Sequence, residues 1–197
     1  MYKLKILSNR KIYQYNSPPN FSYKEQCYFF NFPNSIEFKS KSLTLENRIG
    51  LILSFGYFRA SGKFYTPSKF RKNDIHFICQ KLNYIPFEID FSNYSRSVHH
   101  RQKKIIVDYL GYFLYNKKEH DILLKRHIKN LVSSQIQPVN IFNNLIEYLK
   151  SKKIELPTYN HVHTLITNEL KEFQNVLEKF IKNKITHNQS ITNIQLS

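Results

Sequence analysis

The chain has 197 residues, with 30 Lys and Arg against 14 Asp and Glu, and a formal net charge of +16. No run approaches the roughly 20 apolar residues of a membrane span, and the start MYKLKILSNRKIYQYN lacks the apolar block and small-residue cleavage site of a secretory signal. The size suits one good core or two small domains, and such a positive balance points to a polyanionic partner, not a membrane. Lys, Asn, Ile, Tyr and Phe share AT-rich codons, so the placement of charge says more than its sum. Residues 91–130 hold nine Lys or Arg against three acids, and residues 131–197 hold seven against five. Two cysteines, Cys27 and Cys79, read as reduced, buried thiols of a cytoplasmic, nucleoid-associated protein.

In chain order, residues 1–16 alternate weakly around Ser8-Asn9-Arg10, which predicts a short hairpin or a disordered arm. Ser17-Pro18-Pro19-Asn20 is a break, so residues 1–19 form an N-terminal arm. Ser42 or Thr44 caps a helix to about Ala60, with Leu45, Ile49, Ile52, Leu53 and Phe55 inward and Gly62 as its stop. Thr66-Pro67-Ser68 is a turn. Asn73 caps a helix with the stripe Ile75, Ile78 and Leu82, and Pro86 breaks the chain. Ser97 caps a helix through Ile105, Ile106, Tyr109 and Leu110 that ends at Gly111. The next covers Lys118 to Ser133, with Ile122, Leu123, Ile128, Leu131 and Val132 on its stripe. Pro138 opens another, and Leu156-Pro157-Thr158 restarts the chain. The last helix carries Leu165, Ile166, Leu170, Phe173, Val176, Leu177, Phe180 and Ile181. From Lys184 a polar tail, 184–197, is expected to be flexible. The fold class is all-α, about seven helices in two packed lobes, 20–90 and 91–183.

Two basic segments stand out. Arg59, Lys63, Lys69, Arg71 and Lys72 fall within fourteen residues with no acid among them. Phosphate contact by Lys63, Lys69, Arg71 and Lys72 is the default, because phosphate contacts dominate affinity for nucleic acid. Tyr57, Phe58, Phe64 and Tyr65 read as packing, since duplex DNA offers no free base faces. Gly56 costs a helix about 1 kcal/mol against Ala, which implies close helix packing. Arg96, His99, His100, Arg101, Lys103 and Lys104 gather at a helix start, where free N–H groups and the dipole attract phosphate.

Metal and cofactor chemistry find little here. His99-His100 cannot share a helix face, His161 and His163 lie two apart, and no CxxC completes a zinc set. Asp74, Asp90, Asp108 and Asp121 are scattered and show no convergence of the kind a two-metal site requires. Asp74 suits a helix N-terminus. With four glycines there is no Gly-rich phosphate loop, and no cofactor is expected.

Four segments, in order, resemble one family. Gly56 to Tyr65 (GYFRASGKFY) is similar to the GYFKAxGxFF region in the N-terminal domain of Tn3-family transposases. Tyr94 to Arg101 (YSRSVHHR) resembles the family's Tyr-x-Arg-x-x-x-His-Arg element, with Arg101 on its last basic position. Ile105 to Tyr112 resembles the following helix ending in Gly-Tyr or Gly-Phe, and Leu145 to Pro157 (LIEYLKSKKIELP) resembles the element ending rIxLP. The likeness spans roughly Phe21 to Phe180. It implies tandem helical subdomains of helix-turn-helix character that bind double-stranded DNA, specifically transposon terminal inverted repeats. A full-length transposase subunit is a possible partner. The family's Asp/Asp/Glu catalytic centre belongs to a longer C-terminal part that this chain lacks, so no enzyme activity is expected. Two other readings stay open: a helical interaction remnant without DNA affinity, and a metal-dependent nuclease.

Overall fold

The computed structural model describes residues 4–33, 43–85, 89–134 and 137–194. Among them are eight α-helices and no strand: α1 Asn9–Asn16, α2 Tyr23–Phe29, α3 Leu45–Ser61, α4 Lys72–Lys81, α5 Arg96–Leu110, α6 Lys117–Ser133, α7 Pro138–Ser151 and α8 Tyr159–Ile194. Short 3₁₀ turns cover Pro67–Lys69 and Phe91–Asn93. The fold is all-α, as the apolar spacing predicts. The chain forms two compact units, one of Ser8–Tyr115 with Tyr148–Thr158, the other of Met1–Leu7, Asn116–Glu147 and Tyr159–Ser197.

The first unit is built around α3. Thr44 caps it by accepting from Asn47 N, Glu46 and Arg59 complement its dipole, and Gly62 ends it at φ 70°. Every residue from Ile49 to Phe58 is buried. A helix apolar on all sides must be covered on all sides. One flank packs with Phe30, Tyr65, Phe70 and Ile78, the other with Ile106 and Val107 of α5. A Cβ on Gly56 would stand 2.3 Å from the Phe30 ring, and one on Gly50 2.3 Å from the Tyr94 ring. Close packing is therefore the reason for Gly56.

The residues after α7 close this unit. Phe113 N donates to Lys153 O and Glu155 N to Phe113 O, both at 2.8 Å, and Leu156 N donates to Gly62 O at 2.8 Å. The first and last of the transposase-like segments therefore meet through a backbone hydrogen bond, and Phe113, the residue after the third, pairs with the last.

In the second unit α6 and α8 pack together. Leu124, Ile128, Val132, Ile141, Leu145, Val162 and Ile166 are buried there. Asn116 caps α6 by accepting from Lys118 N at 3.0 Å, and Pro138 opens α7 where its missing N–H costs nothing. His161 Nε2 lies 2.7 Å from Asp121 Oδ1.

Several expectations change. Residues 9–16 form a helix, not a hairpin or a disordered arm, because Ser8 accepts from Lys11 N and caps it. Arg71, not Asn73, is the N-cap of α4, since the Arg71 N–H is held by the Tyr57 hydroxyl at 3.1 Å. Ser95, not Ser97, caps α5 by accepting from Val98 N at 3.2 Å. Thr66-Pro67-Ser68 leads into a 3₁₀ turn. Ile122 and Leu123 lie on the outside of α6, at 61% and 41% exposure, while Leu124 is fully buried. Cys27 is exposed; only Cys79 is buried, and both are free thiols. α8 runs on to Ile194, through a segment with neither Gly nor Pro to stop it. The candidate cap Ser42 and the break at Pro86 lie outside the described residues.

Candidate nucleic-acid interface

The cations of the first segment are largely engaged by the protein itself. Arg59, in the last turn of α3, donates from Nη1 to Tyr28 O at 3.1 Å and Phe29 O at 3.3 Å. Its guanidinium lies 5.0 Å from the Tyr28 ring centre and 5.4 Å from that of Phe55. Lys63 is 5% exposed. Its Nζ donates to Tyr15 O at 2.7 Å, Lys69 Nζ donates to Asn16 O at 3.1 Å, and Arg71 grips Pro18 O through Nε and Nη2 at 3.0 and 2.7 Å.

Tyr15 and Asn16 end α1, where the last carbonyls have no intrahelical partner and the dipole is negative. Two predicted phosphate ligands, Lys63 and Lys69, thus fasten the end of α1, and a third, Arg71, holds Pro18 just beyond it. Burial above all, then the charge of Lys69, pushes the Lys63 ammonium down to about 7, against the pull of Glu155. Lys63 is turned away from any external anion. Lys72 alone of the five is both exposed and without a partner among the described residues.

Asp74 sits in the first turn of α4. Its carboxylate is buried, accepting from Gln26 Nε2 and the Tyr57 hydroxyl, each at 2.7 Å. Burial pushes its pKa up, against those two hydrogen bonds and the Arg71 charge. It is a core residue.

The second segment divides along the helix. Ser95 caps α5, Arg96 is its first residue, and no acid lies in its first turn. Arg96, His100 and Lys104 follow at four-residue intervals with Arg101 beside them. All four are exposed and have no hydrogen bond or ion pair among the described residues. Lys103 is half-buried instead, 3.3 Å from Glu155 Oε1 and 4.9 Å above the Phe64 ring. His99 turns inward against the rings of Tyr94 and Phe64, at 5.8 and 6.5 Å. Burial first, then Lys103 and His100, lowers its pKa to about 4, so it is neutral at neutral pH. His99 is a packing residue, not a phosphate donor. Positions 99, 102, 103 and 106 share one helix face; that period was the available sign that His99 and Lys103 differ from their neighbours.

Beneath the exposed face, α5 is firmly seated. Gln102 is 3% exposed. It accepts from the Tyr94 hydroxyl and donates to Asn47 O at 2.8 Å, while Ile106 and Val107 enter the core. The result is a fixed helix with a cationic outer face and an N-terminus where Ser95 caps the Val98 N–H and the Arg96 and Ser97 N–H groups have no intrahelical partner. Such a face suits a phosphate run, since donors already in place lose little freedom on binding.

Among the described residues no group of three or more His, Cys, Asp or Glu is placed to hold a metal ion, and no helix is long and apolar enough to cross a membrane. No curated protein matches the sequence. A family model described as "Domain of unknown function (DUF4158)" matches residues 6–168, which cover the whole first unit and Asn116–Glu147 of the second. The chain therefore belongs to the DUF4158 family.

Proposed function

We propose that the protein binds double-stranded DNA without breaking or joining it, and that its specific target is the terminal inverted repeat of a transposon. The observation that carries the reading is the outer face of α5, where Arg96, His100, Arg101 and Lys104 are exposed and unpartnered. Cations at the start of a helix oppose its dipole. A phosphate there relieves that cost and also meets free N–H groups. In this reading α5 takes the part of the groove-facing helix of a helix-turn-helix.

The choice of transposon ends rests on the likeness of four segments to Tn3-family transposases, the family in which DUF4158 domains are found. The partner would place the protein on the nucleoid.

The test is a binding titration with an inverted-repeat duplex and a scrambled duplex of equal length. Expected are tighter binding to the repeat and affinity that falls steeply with salt. Absence of binding to either duplex at low salt would remove the proposal.

A further inference from the structure

The outer face of α6 carries a second cationic surface, in the other unit. Lys118, Ile122, Lys125, Arg126 and Lys129 recur at intervals of four, three, one and three, which places them on one helix face. All five are exposed, and the buried Leu124, Ile128 and Val132 form the inward stripe beside them. Lys118, Lys125 and Arg126 have no hydrogen bond or ion pair from their side chains among the described residues. Lys129 lies 3.7 Å from Glu169 and 3.8 Å from Glu172. The acids of α6 are Glu119 and Asp121, the latter 2.7 Å from His161 Nε2.

This face is unfavourable in isolation. Lys125 and Lys129 are four residues apart and Arg126 and Lys129 three, so like charges stand over one another along the helix. Glu169 and Glu172 offset this at Lys129, and no carboxylate among the described residues offsets it at Lys125 or Arg126. Lys117 and Lys118 outnumber Glu119 in the first turn, at the end of the helix where the dipole is already positive. A polyanion laid along α6 relieves both costs. Ile122 stands among the cations at 61% exposure. A helix offering cations around one aliphatic group matches a duplex groove, where phosphates flank base edges and thymine presents a methyl group. A membrane surface calls for the opposite balance, a broad apolar face bordered by cations.

We propose that the outer face of α6, formed by Lys118, Ile122, Lys125 and Arg126, is a second duplex-DNA contact surface, separate from that of α5. It rests on the proposed function, and it assigns DNA contacts to both compact units.

The experiment compares two variants of the full chain with the wild type: Lys118→Ala/Lys125→Ala/Arg126→Ala on α6 and Arg101→Ala/Lys104→Ala on α5. Circular dichroism and thermal unfolding confirm that each is folded, and Arg126→Glu serves as a single-site version should the triple variant unfold. Affinity for the inverted-repeat and scrambled duplexes is measured across a salt series. The α6 variant is expected to lose at least about tenfold in affinity, and its slope of log K against log salt to fall by ~0.9 for each phosphate contact removed. Unchanged affinity and slope in the folded α6 variant, with loss in the α5 variant, would overturn this inference and leave the proposed function standing. A wild type that binds neither duplex would overturn both. Loss of binding to anionic phospholipid vesicles, with duplex binding intact, would overturn it in favour of a membrane surface.

Discussion

Lys63 Nζ lies 3.5 Å from the centre of the Tyr15 ring and donates to the Tyr15 carbonyl at 2.7 Å, so one buried ammonium meets both a π-face and a helix end. Neither partner is a carboxylate, and the ammonium remains hard to charge. Its folded pKa of about 7 lies below the ordinary value of 10.5. The unfolded chain therefore binds more protons between these values, and stability must rise with pH across that window. Unfolding titrations from pH 7 to 9.5 should show the rise, and Lys63→Met should flatten it.

His99 gives a second window with the same sign. Its folded pKa of about 4 lies below the ordinary 6.5, so its contribution is lost as pH falls from about 6.5 toward 4. Asp74, whose pKa is raised, works the other way: its protonated form is favoured by the fold, and stability from it falls as pH rises through the folded value. The two are separated by substitution. His99→Leu should reduce acid sensitivity between pH 6.5 and 4 in urea unfolding, with the Asp74 contribution unchanged.

Asp74→Ala would leave the Tyr57 hydroxyl and the Gln26 amide without their acceptor in a closed core. Unpaired buried donors cost about 1–3 kcal/mol each. The variant should be destabilised by ~2–4 kcal/mol in chemical denaturation. A loss below about 0.5 kcal/mol would mean that water or a rearranged partner replaces the carboxylate.

Gly56→Ala pits helix propensity against space. Ala is worth about 1 kcal/mol over Gly in an open helix, but the new Cβ would meet the Phe30 ring at 2.3 Å. Overpacking typically costs ~1–3 kcal/mol. We expect a net loss, read as a lower thermal midpoint.

On α5, Arg101→Ala should weaken binding to inverted-repeat DNA by ~1–3 kcal/mol if the guanidinium reads a base edge, with a smaller loss on scrambled DNA. An equal loss on both identifies a phosphate anchor. Lys72→Ala should weaken both duplexes alike, whereas Arg71→Ala should chiefly loosen residues 15–18, because its guanidinium already holds Pro18 O.

The helices were legible because their stops and apolar periods are local. Thr44, Gly62, Gly111 and Pro138 each mark an end that the fold uses. The destination of a cation is not local. Lys63, Lys69 and Arg71 look like a solvent-facing strip, yet their partners lie 48 to 53 residues earlier, on a helix end that no nearby residue announces. The same holds for Lys103, whose carboxylate partner is 52 residues away. His99 and His100 are chemically alike in sequence, and only the face each occupies on α5 divides them. On α6, Ile122 and Leu123 count as stripe residues by type, but a helix buries one face, and Leu124 with Ile128 and Val132 fills it.

α1 buries none of its own residues. What secures it is polar: carbonyls at its end, held by cations from elsewhere in its unit, and the Tyr15 hydroxyl donating to Pro157 O at 2.9 Å. Release of α1 by a protease nick before Ser17 would thus cost the helix little apolar contact of its own while uncovering the ammonium groups of Lys63 and Lys69; Arg71 would keep Pro18 O. A trimmed sample loses Lys3, Lys5, Arg10 and Lys11 but frees two ammonium groups, so its elution from heparin should shift less than the loss of four cations alone would give. Preparations of this protein should therefore be checked by intact mass before any affinity for nucleic acid is assigned to α5 or α6.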